Sequence, residues 1–146
     1  MNEFDWREFL NYAKKVYDKL KTVGTDFDDE QEALCRIGIS RAYYAAFHGA
    51  KNFLESTSVL NRQKDEGSHE VVINALRKQK NTDLQDVGEE LNDLKTRRVR
   101  ADYQADCYCK NSVKPFDELE MAVDSAENIL DVIDRKSLQL LKKKKF

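Results

Sequence analysis

Proline occurs once in this chain of 146 residues and glycine five times. Sheet architectures rich in tight turns need both, so their scarcity excludes a sandwich or barrel and leaves helices joined by short connections. Histidine is rarer than in most chains of this size, with two in all, and cysteine occurs three times. An odd number of cysteines without an export signal reads as reduced thiols rather than a disulfide framework. The pair in Cys107-Tyr108-Cys109 is too tight and too isolated for a zinc site, so no metal and no cofactor is expected. No apolar run is long enough to span a membrane, and Met1-Asn2-Glu3-Phe4-Asp5-Trp6 lacks the basic and apolar regions of a signal peptide, so a cytoplasmic protein without membrane association is expected. An excess of one charge is also missing. The net charge of −2 and pI near 5.8 give the whole molecule no general attraction to nucleic acid or anionic lipid, so any such attraction must be local.

What is abundant is charge of both signs, 36% of residues, interleaved with apolar residues at helical spacing. The expected fold is all-α: an antiparallel up-and-down bundle of four to five helices forming a single domain over residues 1–146, with a basic tail at about 141–146. The first helix is predicted from Glu3 to Thr22 by Trp6, Phe9, Ala13, Val16, Leu20 and Val23, with Asn2 as its cap. Gly24 to Phe27 breaks the pattern. Asp29 and Glu32 have the spacing of a capping box for a second helix running through about Leu54, and Glu55 to Gly67 reads as a loop. Ser68 can cap a short third helix holding Val72, Ile73 and Leu76, and a second capping box is expected at Thr82 and Gln85. The fourth helix carries Leu84, Val87, Leu91, Leu94, Arg98, Ala101 and Ala105 along one stripe. Lys110 to Lys114 connects it to a last helix that opens on Pro115 and carries Phe116, Leu119, Val123, Ala126, Leu130, Ile133 and Leu140. Lys142 to Lys145 complement the negative end of that helix.

The second helix is apolar on most of its sides, with Cys35, Ile39, Ala42, Ala46, Gly49 and Phe53 on one stripe and Tyr43, Phe47, Ala50 and Leu54 beside it. Such a helix is central. Its remaining stripe is Leu34, Ile37, Arg41, Tyr44 and His48. A second embedded arginine, Arg98, sits where periodicity calls for a core residue in the fourth helix. A partly buried guanidinium needs a carboxylate, a neighbouring chain or a bound anion, and Asp102, four residues after Arg98, is the candidate carboxylate. Tyr43 and Tyr44 read as core aromatics whose hydroxyls reach polar partners. Lys95, Arg97 and Arg100 leave the core stripe as a local basic patch that can steer a phosphate backbone. Arg41 and His48 share a face about 10.5 Å apart along the axis, too far to touch.

Three separated segments, Ser40-Arg41-Ala42-Tyr43-Tyr44-Ala45-Ala46-Phe47-His48, Ser68-His69, and Leu94-Lys95-Thr96-Arg97-Arg98-Val99-Arg100-Ala101-Asp102-Tyr103, resemble the small stand-alone prokaryotic HEPN-domain proteins in order and spacing. The resemblance implies a helical homodimer, in families that include metal-independent ribonucleases and toxins paired with nucleotidyltransferase-type antitoxins. In such nucleases an arginine is followed, after four to six residues, by a histidine. Imidazole takes the proton of a ribose 2′-hydroxyl while guanidinium neutralises charge on the phosphorus oxygens. By this resemblance Arg41, His48 and Arg98 are the catalytic candidates. Tyr44, His69, Arg97, Arg100, Asp102 and Tyr103 are the candidates for binding RNA or a nucleotide. Counting from Arg98, however, the place of the histidine is taken by Tyr103, and a phenol is a poor proton acceptor at neutral pH. Three readings follow: a ribonuclease of a toxin–antitoxin or defence system, a non-catalytic module that docks a nucleotidyltransferase-type partner, or a purely structural dimerisation domain whose arginines are satisfied internally.

Overall fold

The computed structural model describes residues 3–23, 28–61, 68–110 and 113–144. They form six helical segments: α1 (Arg7–Lys21), α2 (Asp29–Ser56), α3 (His69–Arg77), α4 (Thr82–Tyr103), the single turn α5 (Cys107–Lys110) and α6 (Pro115–Lys144). The expected break at Gly24 to Phe27 and residues 62–67 of the expected loop lie outside the described residues, as do the cap Asn2 and the last lysine.

Cross-helix pairs fix the topology. Arg7 and Lys14 of α1 meet Asp134 and Glu127 of α6. Phe9 and Trp6 lie against Arg41 and His48 of α2, and Arg97 and Asp83 of α4 meet Glu118 and Lys136 of α6. In each pair one number rises as the other falls, so α1, α2, α4 and α6 form the expected antiparallel up-and-down ring. Across its diagonal α2 and α6 run parallel and pack closely, with α3 laid against α4 and α2.

Two glycines permit that diagonal contact. A Cβ on Gly38 would come within 2.7 Å of Leu119 Cδ1, and one on Gly49 would collide with Leu130. Gly38 and Gly49 are eleven residues apart, as are Leu119 and Leu130, about three helical turns on each helix. The core forms around this seam, with Ile39, Ala42, Ala46, Ala50 and Leu54 of α2 buried against Ala122, Ala126, Ile129 and Ile133 of α6. Cys35 is buried among them, and burial pushes its thiol up to about 12, with Glu32 adding to the effect.

The helix boundaries differ from the sequence reading in four places. α1 begins at Arg7, with the Arg7 amide donating to the Asp5 carboxylate, because Phe4 and Trp6 turn back onto Phe9 instead of continuing a helix. The capping box of α2 is Asp28 with Gln31, one residue earlier than expected. Asn81 rather than Thr82 caps α4, accepting from the Leu84 amide at 3.2 Å. Ala105 lies beyond the end of α4 and is exposed, as are Val23 and Leu140, so these three expected core positions are not core. Ser68 caps α3 as expected, accepting from the Val71 amide.

Candidate functional site

Arg98 does occupy a core position of α4. It is 7% exposed, with its guanidinium carbon 5.3, 5.6 and 5.9 Å from the ring centres of Tyr43, Tyr44 and Tyr103. Its Nη1 reaches Asp102 Oδ2 at 3.5 Å, a long contact for an ion pair, and its Nε is buried with no hydrogen-bond partner among the described residues. Arg41 arrives from α2. Its guanidinium lies 4.7 Å from the Phe9 ring centre and 5.2 Å from that of Tyr44, and its Nη2 donates to Ser40 Oγ at 3.3 Å. Among the described residues Arg41 forms no ion pair. Ser40 Oγ donates in turn to Asp102 Oδ2 at 3.4 Å. The two arginines therefore converge on one tyrosine ring and are joined through one hydroxyl and one carboxylate.

The histidine beside this pair is His69, at the start of α3. Its Nδ1 and the Tyr43 hydroxyl share a hydrogen bond of 2.5 Å. Burial, then the charges of Arg98 and Lys95, hold its imidazole below the ordinary histidine range, so it is neutral at neutral pH. Tyr43 is fully buried, and burial raises its phenol pKa so that it stays protonated. His48 stands elsewhere. It stacks on Trp6 with ring centres 3.6 Å apart and planes 13° from parallel, and burial, with Lys51 and His69 contributing, pushes it down to about 4. Phe47 lies between the two histidines, 5.1 Å from His48 and 4.5 Å from His69. His48 thus shares the α2 face with Arg41, as its spacing requires, without joining the arginine pair.

Of the remaining candidates, Tyr44 and Asp102 touch the arginine pair, and Tyr103, 74% exposed, covers Arg98 from the solvent side; we call these side chains between α2, α3 and α4 the arginine recess. Arg97 and Arg100 are not part of it. Both turn to α6, where Arg97 Nη1 meets Glu118 Oε2 at 2.6 Å and Arg100 Nη2 meets the same oxygen at 3.5 Å. Lys95 pairs with Glu70. The expected basic patch is therefore a set of ion pairs that tie α4 to its neighbours.

Three contributors were not singled out in the sequence. Arg36 donates to the carbonyls of Ala101, Gln104 and Ala105 and closes the C-terminal end of α4, which carries Asp102 and Tyr103. Glu32 and Arg36, four residues apart, have the spacing of the helical ion pair they form, but nothing local indicates the contact with a second helix. Ser40 was visible only as the neighbour of Arg41, and Trp6 only as an apolar position. Among the described residues no group of three His, Cys, Asp or Glu side chains is placed to hold a metal ion, and no helix is long and apolar enough to cross a membrane. No family model matches the sequence, and no curated protein or solved structure matches it.

Proposed function

We propose that the recess between α2, α3 and α4 receives a phosphate group of RNA or of a nucleotide, in a cytoplasmic protein of HEPN type. The observation that carries this reading is the convergence of Arg41 and Arg98 on Tyr44, with no carboxylate on the first and only a long contact to Asp102 on the second. A guanidinium with unused donors favours a planar or tetrahedral oxyanion, and the aromatic walls lower the local dielectric and strengthen that attraction. The motifs of α2, α3 and α4 that resemble HEPN-domain proteins supply these same side chains.

The catalytic version is a metal-independent endoribonuclease of a toxin–antitoxin or defence system. Neutral His69, its Nδ1–H donating to the Tyr43 oxygen, accepts the proton of a ribose 2′-hydroxyl on Nε2. The 2′-oxygen attacks phosphorus to form a 2′,3′-cyclic phosphate, and the departing 5′-oxygen takes a proton from water, whose hydroxide recovers the proton from His69. Arg41 and Arg98 neutralise the charge on the phosphorus oxygens. His69 fits the base role better than His48, which lies against Trp6. The alternative is a non-catalytic module, favoured by Tyr103 in the place of a histidine. There a second copy or a nucleotidyltransferase-type partner covers Tyr103 and Ile37, both exposed beside the recess.

Binding of a labelled single-stranded RNA at low salt tests the shared claim. Arg41→Ala, at a half-buried position, is expected to weaken binding roughly tenfold. Unchanged affinity in a folded variant would remove the basis of the proposal. Cleavage in chelator, lost in His69→Ala and kept in His48→Ala, selects the nuclease; no cleavage by the wild type selects the binding module.

A further inference from the structure

We propose that the cleft between the N-terminal segment and the second half of α2 seats a nucleobase of the same RNA strand whose phosphate lies at Arg41 and Arg98. This rests on the phosphate reading above and adds to it a base-recognition subsite.

The cleft, of about 840 Å³, has an aromatic wall and a polar wall. Trp6, stacked on His48, meets Phe4 nearly at a right angle, with ring centres 5.1 Å apart and planes at 81°. Phe4 is 53% exposed, an unusual position for a phenylalanine whose neighbours are already packed. Lys51, Asn52 and Glu55, on the turns of α2 that follow His48, complete the lining with Glu3 and Ser56. An amide such as that of Asn52 has both a donor and an acceptor to present to a base edge, and a lysine supplies a charge for a flanking phosphate. Base stacking on aromatic side chains tolerates any sequence, while edge contacts add preference.

A chain of aromatic contacts links the cleft to the arginine pair. Phe9 lies 4.7 Å from the Arg41 guanidinium, 5.2 Å from Phe4 and 5.5 Å from Trp6. Arg41 and His48 are separated by about 10.5 Å along α2, a span that one or two nucleotides of an extended strand cover. The stack also accounts for the displacement of His48 from the arginines. A neutral imidazole held flat against an indole is part of an aromatic surface rather than a proton acceptor.

Trp6 is the single tryptophan of the chain, so its fluorescence reports on the N-terminal end of the molecule, and Lys51→Ala, at a residue that lines this cleft and not the neighbouring cavity that Trp6 also borders, assigns any quenching to the cleft. The full chain is titrated with adenosine, with inorganic phosphate and with a short unstructured RNA oligonucleotide. Adenosine and the oligonucleotide are expected to quench Trp6 emission while phosphate does not. Phe4→Ala and Asn52→Ala, at exposed positions, are expected to bind the oligonucleotide roughly tenfold more weakly, Asn52→Ala with unchanged melting temperature. If the oligonucleotide binds and Arg41→Ala weakens it, yet neither probe quenches Trp6 and both cleft variants bind normally, the cleft is no base site and the phosphate reading stands. If adenosine quenches but no oligonucleotide binds, the phosphate reading falls and the cleft remains a nucleoside site. Silence from every probe overturns both.

Discussion

Tyr43 and His69 share a 2.5 Å hydrogen bond across the contact between α2 and α3. The Tyr43 ring is fully buried, so its hydroxyl holds the imidazole of a short helix in place beside Arg98. Tyr43→Phe keeps the ring and leaves His69 Nδ1 without this partner. A loss of about 1 kcal/mol is expected in urea unfolding, together with displaced His69 ring resonances in NMR spectra. Unchanged stability with unmoved resonances would show that the hydroxyl does not position the ring.

The two histidines predict an acid-sensitive fold. Both are held below their ordinary pKa, His48 at about 4, chiefly by burial. The unfolded chain therefore binds protons near pH 6.5 that the folded chain refuses until lower pH. Their contribution is fully present above about pH 6.5 and is lost as pH falls toward 4. Urea midpoints measured at several pH values across this range should fall less steeply for His48→Gln than for the wild type; parallel curves would contradict the assignment.

Glu118, 7% exposed, answers both Arg97 and Arg100. Removing its charge with Glu118→Gln leaves two partly buried guanidinium groups short of a partner, at a cost of about 2–3 kcal/mol. Arg97→Ala should likewise lower the melting temperature while leaving RNA affinity within about twofold, because its guanidinium is turned to Glu118 of α6 and away from Arg41 and Arg98. A large loss of affinity without a loss of stability would return Arg97 to the binding surface.

Arg36 spans from α2 to the end of α4, where three carbonyls accept from it. Arg36→Met keeps much of the side-chain packing and removes the cap. About 1–2 kcal/mol of stability should be lost, with faster amide exchange concentrated over residues 100–105. Uniform exchange along α4 would mean that the helix end is held by other means.

The helices were legible from apolar spacing, because burial of a stripe is a local pattern repeated over many turns. The two anomalous arginines were legible for the same reason: a charge on a core stripe contradicts its neighbours. Cap positions slipped by one because Asp28 and Asp29, or Asn81 and Thr82, are equally capable acceptors, and only the backbone angle at the first turn selects between them. The placement of the two histidines was legible only in part. Helical spacing placed His48 on the face of Arg41, but which imidazole approaches Arg98 depends on where α3 lands after a loop with no periodic signal. Arg97 and Arg100 looked free for a related reason, since Glu118 is far from both in sequence and reaches them only through the packing of α6 on α4.

The glycine–leucine seam between α2 and α6 acts as a ruler for everything built on α2. One residue inserted between Gly38 and Gly49 would turn the second half of the helix by about 100°. Leu130 would lose its notch, and Trp6 with His48 would swing out of line with Arg41, although each half would keep its own internal packing. The separation and angle between Arg41 and His48 are thus set by an uninterrupted helix, a fixed gauge rather than an adjustable one.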